Sequence, residues 1–262
     1  MKIYRPARDS HKGQNGRLLV IGGSELFHAS IFWAADVASR IVDLVHFSSP
    51  AMENNELVRK KAKEGFWNGI VVPWEKVEEY IREDDCVVIG PGMTRIKEDG
   101  TADITNGLLK KYPDKRWVID GGALQEMDVD LIPKNAILTP HKREFEGLLK
   151  RSDLVDKQQG QTLLARKYNC VVVLKGPEDI VCSAEKCETV SGGNEGMTKG
   201  GTGDVLAGLV GALYCKNDAW FAATTGSYVN KKAGDNLYKR VGVFFNAGDL
   251  VNEVPTVLAS LY

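Results

Sequence analysis

The sequence lacks a charge imbalance. Its 34 lysines and arginines face 35 aspartates and glutamates, a formal net charge of −1. That balance leaves no electrostatic footprint for a nucleic-acid backbone or an anionic lipid surface. No stretch approaches the ~20 apolar residues of a membrane span. The opening MKIYRPARDSHKGQNG has no apolar core of a secretory leader. These absences predict a cytoplasmic protein with no nucleic-acid and no membrane partner. Cysteine is sparse: Cys86, Cys170, Cys182, Cys187 and Cys215 form no zinc-ligand spacing. Cys182 and Cys187 flank a Ser-Ala-Glu-Lys turn and could face each other across it, but a reducing compartment favours free thiols. The one basic cluster, Arg59, Lys60, Lys61 and Lys63, reads as a solvated helix face.

What is present is an ordinary globular composition, 43% hydrophobic and 26% charged. Short β-branched runs alternate with longer amphipathic ones. Arg17–Ile21, Leu44–Phe47, Cys86–Ile89, Arg116–Ile119, Ala136–Leu138 and Cys170–Leu174 read as buried strands. Helical periodicity appears near Ser30–Val42, Glu75–Arg82, Ile104–Lys111, Gln161–Tyr168, Asp204–Tyr214 and Ala219–Leu237. Asp179–Thr189 reads as an antiparallel edge hairpin. With no repeat or linker, residues 1–262 are expected to form one domain: a mostly parallel sheet with helices on both faces. Glycine-rich and polar signals follow the strands, where a doubly wound sheet binds its ligand.

The most informative segment runs from Asn194 to Asp204, NEGMTKGGTGD, ahead of the apolar helical run VLAGLVGAL. Glycines let a backbone approach a phosphate closely. A helix opening directly behind them offers unpaired N–H groups and the positive end of its dipole. This is not a Walker A loop, which requires Gly-Lys-Ser/Thr at fixed spacing. Asp204, at the start of the helix, could take a proton from a substrate hydroxyl. It could equally cap the helix.

Gly200-Gly201-Thr202-Gly203-Asp204 resembles the anion hole and catalytic aspartate of ribokinase-like enzymes. The longer segment 193–204 resembles the nucleotide-dependent NAD(P)H-hydrate dehydratases. Further pieces follow in family order: His11-Lys12-Gly13, Asn15-Gly16-Arg17, Gly22-Gly23-Ser24, Gly90-Pro91-Gly92, Thr139-Pro140-His141 with Glu144, Lys175-Gly176 and Ala233-Gly234-Asp235. The resemblance implies a ribokinase-like three-layer α/β/α sandwich with an antiparallel edge. It also implies a stand-alone dehydratase without the epimerase domain often fused upstream. Asp204 would act with Gly201, Thr202 and Gly203 in catalysis. Ser30, Gly92, His141 and Asp204 would meet the hydrated NADH or NADPH. Lys175, Gly176, Pro177, Glu178, Asp179, Asn194 and Gly203 would hold ADP or ATP, and Glu144 would reach Mg²⁺ through water.

The implied reaction is phosphorylation of the ring hydroxyl by the nucleotide, followed by loss of phosphate. ADP is favoured by the stand-alone length, and a homo-oligomer, often a tetramer, is implied as well. The sequence departs from the family pattern at Ser30 (alanine), Met93-Thr94 (Leu-Gly), Gly122 (the second aspartate of Asp-Ala-Asp-Ala-Leu), Lys142-Arg143 (a small residue or proline, then glycine) and Glu195 (proline). Asp120 reads as a pocket residue or a turn cap, and Ala233-Gly234-Asp235 as helix packing or pocket wall. Two other functions stay open: a ribokinase-like kinase for a small alcohol such as a hydroxyethylthiazole, and a nucleotide-binding protein without turnover.

Overall fold

A computed structural model describes residues 3–64, 68–154 and 159–261. Its centre is one sheet built from β1 (Arg17–Ile21), β2 (Leu44–Ser48), β3 (Ile70–Val71), β4 (Cys86–Ile89), β5 (Arg116–Ile119), β6 (Ile137–Leu138), β7 (Val171–Leu174), β8 (Asp179–Cys182) and β9 (Cys187–Val190). The spatial order is β3-β2-β1-β4-β5-β6-β7-β8-β9. Pairing is parallel from β3 through β7 and antiparallel at the β7–β8 and β8–β9 edge. The chain builds outward from β1 to β3, then returns to β1's other side with β4. That reversal opens a crevice at the carboxyl ends of β1 and β4.

The strands are continuous apolar runs because both faces are covered. Alternate residues of β1 and β4 serve opposite cores. Leu18, Val20 and Val88 pack with α1 (His28–Ala38), α8 (Thr202–Tyr214), α9 (Ala219–Val241) and α10 (Ala247–Ala259). Leu19, Ile21, Val87 and Ile89 pack with α3 (Val77–Glu83), α4 (Thr101–Lys111), α5 (Gly121–Glu126), α6 (Lys142–Arg151) and α7 (Gly160–Tyr168). This is the expected α/β/α sandwich. Helix α8 is apolar around almost its whole circumference because it lies between the sheet and its neighbours α1 and α9.

Some boundaries differ from the sequence reading. Helix α1 starts at His28 and stops at Ala38, two residues early and four short of Val42. The basic cluster lies on a helix that periodicity did not reveal, α2 (Met52–Glu64), where Lys60, Lys61 and Lys63 are exposed and Lys61 sits 4.0 Å from the Phe32 ring centroid. Helices α5, α6 and α10 were also absent from the periodicity reading. None of the described helices is long and apolar enough to cross a membrane.

One expectation is overturned: Cys182 and Cys187 are not free thiols but a disulfide. They are directly opposed in the β8–β9 register with Cα atoms 4.1 Å apart. The adjacent Ser183 and Lys186 carry the turn's hydrogen bond at 2.8 Å. The cysteine pair therefore occupies the non-hydrogen-bonded position, where opposed side chains come closest. Cys86, Cys170 and Cys215 are free and buried.

Candidate active site

Four ionisable side chains from four separate segments meet at the carboxyl ends of the central strands. Asp120 follows β5, Glu144 lies in the first turn of α6, Lys175 follows β7, and Asp204 lies in the first turn of α8. Asp120 Oδ1 accepts hydrogen bonds from Lys175 Nζ at 2.8 Å and Thr139 Oγ1 at 2.7 Å. Asp120 stands at the N-cap position of α5, but its side chain makes no capping hydrogen bond. The turn-cap reading of this residue is therefore wrong; the carboxylate faces the cluster.

Asp204 does not cap its helix either. The N-cap is Gly201, with φ 95°, which places Asp204 three residues into the turn. Burial pushes its carboxyl up to about 7, with the Asp120 charge adding to the effect. Lys175 and a hydrogen bond from Ser30 oppose the rise. Lys175 itself stays above the usual ammonium range. Burial works against its charge, but Asp120, Glu144 and Asp204 outweigh that cost. Glu144 is raised by burial against the pull of Lys175. The result is a carboxyl poised near neutrality beside a firmly charged ammonium.

The glycine loop is built for close approach. A Cβ on Gly201 would lie 2.5 Å from the Trp33 ring, and its positive φ further favours glycine. A Cβ on Gly203 would lie 3.4 Å from Lys175 Nζ, so the ammonium borders the opening turn of α8. The N–H groups of that turn have no intrahelical acceptor. Unpaired N–H groups and a neighbouring ammonium are together suited to an anion.

Several of the predicted catalytic and nucleotide-binding residues brace the loops, and Thr202, Asn194 and Asp179 also line a cleft beside Lys175. The Thr202 hydroxyl is directed at the carbonyls of Met197 and Lys199, at 2.7 and 3.0 Å. Asn194 Oδ1 accepts from the Gly196 N–H at 3.0 Å, and its amide nitrogen lies 3.4 Å from Asp235. Glu195, where the family has proline, accepts a hydrogen bond from the Tyr238 hydroxyl at 3.1 Å. Asp179 is buried, accepting from the Gly176 N–H at 3.0 Å and the Ser227 hydroxyl at 2.7 Å. Lys231 ties that turn together by donating to the carbonyls of Gly176 and Pro177, each at 3.0 Å. Glu178 accepts from Ser191 at 2.7 Å. The sequence reading did not include Lys231, Ser227 or Trp33, because their roles depend on segments far apart in the chain.

His141 has a backbone role. Its Nδ1 accepts from the Glu144 N–H at 3.2 Å while Glu144 Oε2 accepts from the His141 N–H at 2.8 Å, a reciprocal capping box. The imidazole nonetheless remains 52% exposed. It stands between two clefts. One, about 800 Å³, is lined by Lys175, Gly176, Asn194, Gly203 and Asn230 among others. The other, about 870 Å³, is lined by Phe27, Met93, Arg95, Gln125 and Glu144 among others. Both volumes suit organic ligands.

At Gly92, a Cβ would lie 2.4 Å from the Phe27 carbonyl oxygen and 3.0 Å from Ser30 Cβ. Those contacts bring Gly92, Ser30 and Asp204 into one neighbourhood. Gly122 has a similar constraint: a Cβ there would lie 2.1 Å from the Met93 carbonyl oxygen. The missing second aspartate and the altered Met93-Thr94 segment are thus two sides of one contact.

The acidic side chains do not converge as a cation cage; among the described residues no group of three metal-ligating side chains occurs. Glu144 is held by His141 and by Gln125 Nε2, 2.9 Å from its other oxygen. Its arrangement fits contact with an ion only through water.

A profile of the NAD(P)H-hydrate dehydratase family matches residues 18–256. The chain belongs to that family.

It is 36% identical over 257 residues to the bifunctional NAD(P)H-hydrate repair enzyme of Methanocaldococcus jannaschii, covering 95% of this chain and 49% of that protein. The chain therefore spans about half the length of that curated relative. It is 30% identical to the ADP-dependent (S)-NAD(P)H-hydrate dehydratase of Nitrosopumilus maritimus, covering 98% of this chain and 94% of the relative. Its fold matches the ADP/ATP-dependent NAD(P)H-hydrate dehydratase of Bacillus subtilis, co-crystallised with ATP and Mg²⁺, with a TM-score of 0.82. That match has 21% identity and covers 100% of this chain and 95% of that one.

Proposed function

We propose that this chain dehydrates hydrated NADH and NADPH at the expense of ADP or ATP, with ADP preferred. One observation carries the reading: Asp204, its carboxyl raised to about 7, stands at the anion-binding start of α8 among groups that face both clefts.

The chemistry follows from that placement. The ring hydroxyl of the hydrated dinucleotide enters near Ser30, Gly92 and His141 and gives its proton to the Asp204 carboxylate. Its oxygen attacks the terminal phosphorus of the nucleotide, forming an O–P bond as the bond to the leaving nucleotide breaks. The first-turn N–H groups of α8 and the Lys175 ammonium face the charge that develops. Phosphate then departs from the ring carbon, driven by the ring nitrogen's lone pair. Loss of a ring proton restores the dihydropyridine. The products are NADH or NADPH, phosphate, and AMP or ADP. Mg²⁺ would enter with the nucleotide phosphates and neutralise their charge, with Glu144 in contact through water. The reading also carries a cytoplasmic location and a homo-oligomeric assembly, which fractionation and light scattering of the native protein check.

The test is turnover of hydrated NADH by purified protein with Mg²⁺ and either ADP or ATP. It is followed by the near-ultraviolet absorbance of the restored ring and by phosphate release. Matched gains in both signals are expected, faster with ADP. A stable phosphorylated alcohol, or nucleotide binding with no turnover, overturns the reading.

A further inference from the structure

The 870 Å³ cleft contains two cations to which the chemistry above gives no work. Arg95 lies in the segment after β4, and Arg143 is the second residue of α6. Both are exposed, and neither makes a hydrogen bond or ion pair within the described residues. A third arginine on the same cleft is already engaged. Arg151 donates to the carbonyls of Leu124 and Met127 at 2.8 and 2.5 Å, with the Glu126 and Asp128 carboxylates acting on its charge. Glu144, the other acid facing the cleft, is held by Gln125 and the His141 backbone. Arg95 and Arg143 are thus left as uncommitted positive charges. Beside them stand Phe27 and Ile96, 51% and 53% exposed, apolar side chains suited to the flat face of a ring.

A cleft that combines free guanidinium groups with exposed apolar side chains matches a ligand carrying both phosphate and rings. Guanidinium pairs with phosphate through two parallel hydrogen bonds, a geometry that lysine cannot reproduce. We propose that Arg95 and Arg143 hold a phosphate group of the hydrated dinucleotide, either its pyrophosphate or the 2′-phosphate of the NADPH form. This rests on the function proposed above. It gives the departure at Arg143, where the family pattern has glycine, a role in substrate recognition.

The test uses the full chain without adenine nucleotide, so that binding is read without turnover. Titration calorimetry measures hydrated NADPH and hydrated NADH against wild type and Arg95→Gln, Arg143→Gln and the double variant, with thermal melts confirming folding. The double variant is expected to bind hydrated NADPH about tenfold or more weakly. Added salt should narrow the gap. A loss confined to hydrated NADPH identifies the 2′-phosphate; an equal loss on both ligands identifies the pyrophosphate. Binding within twofold of wild type on both overturns the proposal, as does a wild type that binds neither. Turnover with ADP is measured on wild type in parallel. Arginine-dependent binding without turnover sinks the dehydratase reading alone, whereas turnover with arginine-independent binding sinks this one alone.

Discussion

Lys175 Nζ lies 2.8 Å from Asp120 Oδ1, a contact that joins the ends of β7 and β5 across 55 residues of chain. It also places the only ammonium in the cluster against the field of three carboxylates. Lys175→Met should raise Asp204 further, moving the acid limb of the pH–rate profile to higher pH and lowering kcat/KM at neutral pH. Because the buried Asp120 would lose its cationic partner and keep only the Thr139 hydroxyl, stability should fall by about 3 kcal/mol. A pH–rate profile and a urea titration check both parts. An unmoved acid limb would show that Lys175 does not tune Asp204.

Asp204→Asn should reduce turnover by about 10²–10⁴-fold, the usual contribution of a general base, while nucleotide binding persists. The wild-type profile should rise through an apparent pKa of about 7 as the carboxyl deprotonates. Steady-state rates from pH 5 to 9, roughly bracketing that value, check it. A profile flat across neutrality would remove Asp204 as the base.

The same group makes a prediction about stability. Its folded pKa, about 7, stands above the ordinary 3.8. Between those values the native state binds more protons than the unfolded state, so this residue's contribution falls as pH rises. The asparagine variant lacks that burden. Its melting temperature should exceed wild type at pH 7, with the difference shrinking toward pH 4. Calorimetry at several pH values decides it; a variant less stable at neutral pH contradicts the assignment.

Restoring the family's second aspartate should harm this protein. A Cβ on Gly122 would lie 2.1 Å from the Met93 carbonyl oxygen, so Gly122→Asp must push the segment after β4 away from α5. Overpacking of this kind costs about 1–3 kcal/mol. Gly122→Ala should show a similar loss, which denaturant titration measures. Wild-type stability in both would mean that the backbone contact yields easily.

The Cys182–Cys187 disulfide closes a short hairpin with a sequence separation of 5. Loop-closure entropy alone limits its contribution to about 2 kcal/mol. Reduction, or replacement of both residues by serine, should lower stability by no more than that and leave kcat unchanged. A larger effect would show that the β8–β9 edge depends on the covalent link.

Much of this protein was legible in its sequence because the relevant physics is local. Strands buried on both faces must be apolar runs, so the boundaries of β1, β4 and β5 matched their hydrophobic residues. A glycine loop ahead of an apolar helix suits an anion whatever surrounds it, and that loop is what singles out Asp204 as a candidate. Short or polar elements were less visible. Helix α2 has only scattered apolar residues, and α5 spans six positions, too few for a period.

What only the tertiary structure decided depends on residues remote in sequence. Whether Asp120 caps a turn or pairs with Lys175 could not be read from either segment alone, since each contains an ordinary polar residue after a strand. The loop-bracing roles of Thr202, Asn194 and Asp179 likewise depend on which partner lies within hydrogen-bonding distance. The pairing of Cys182 with Cys187 was set by hairpin register, which places the two sulfurs on the same face and directly opposed. The identity of each functional residue is a property of the chain, but its protonation and its partners follow from distance and burial, which exist only once the strands have packed.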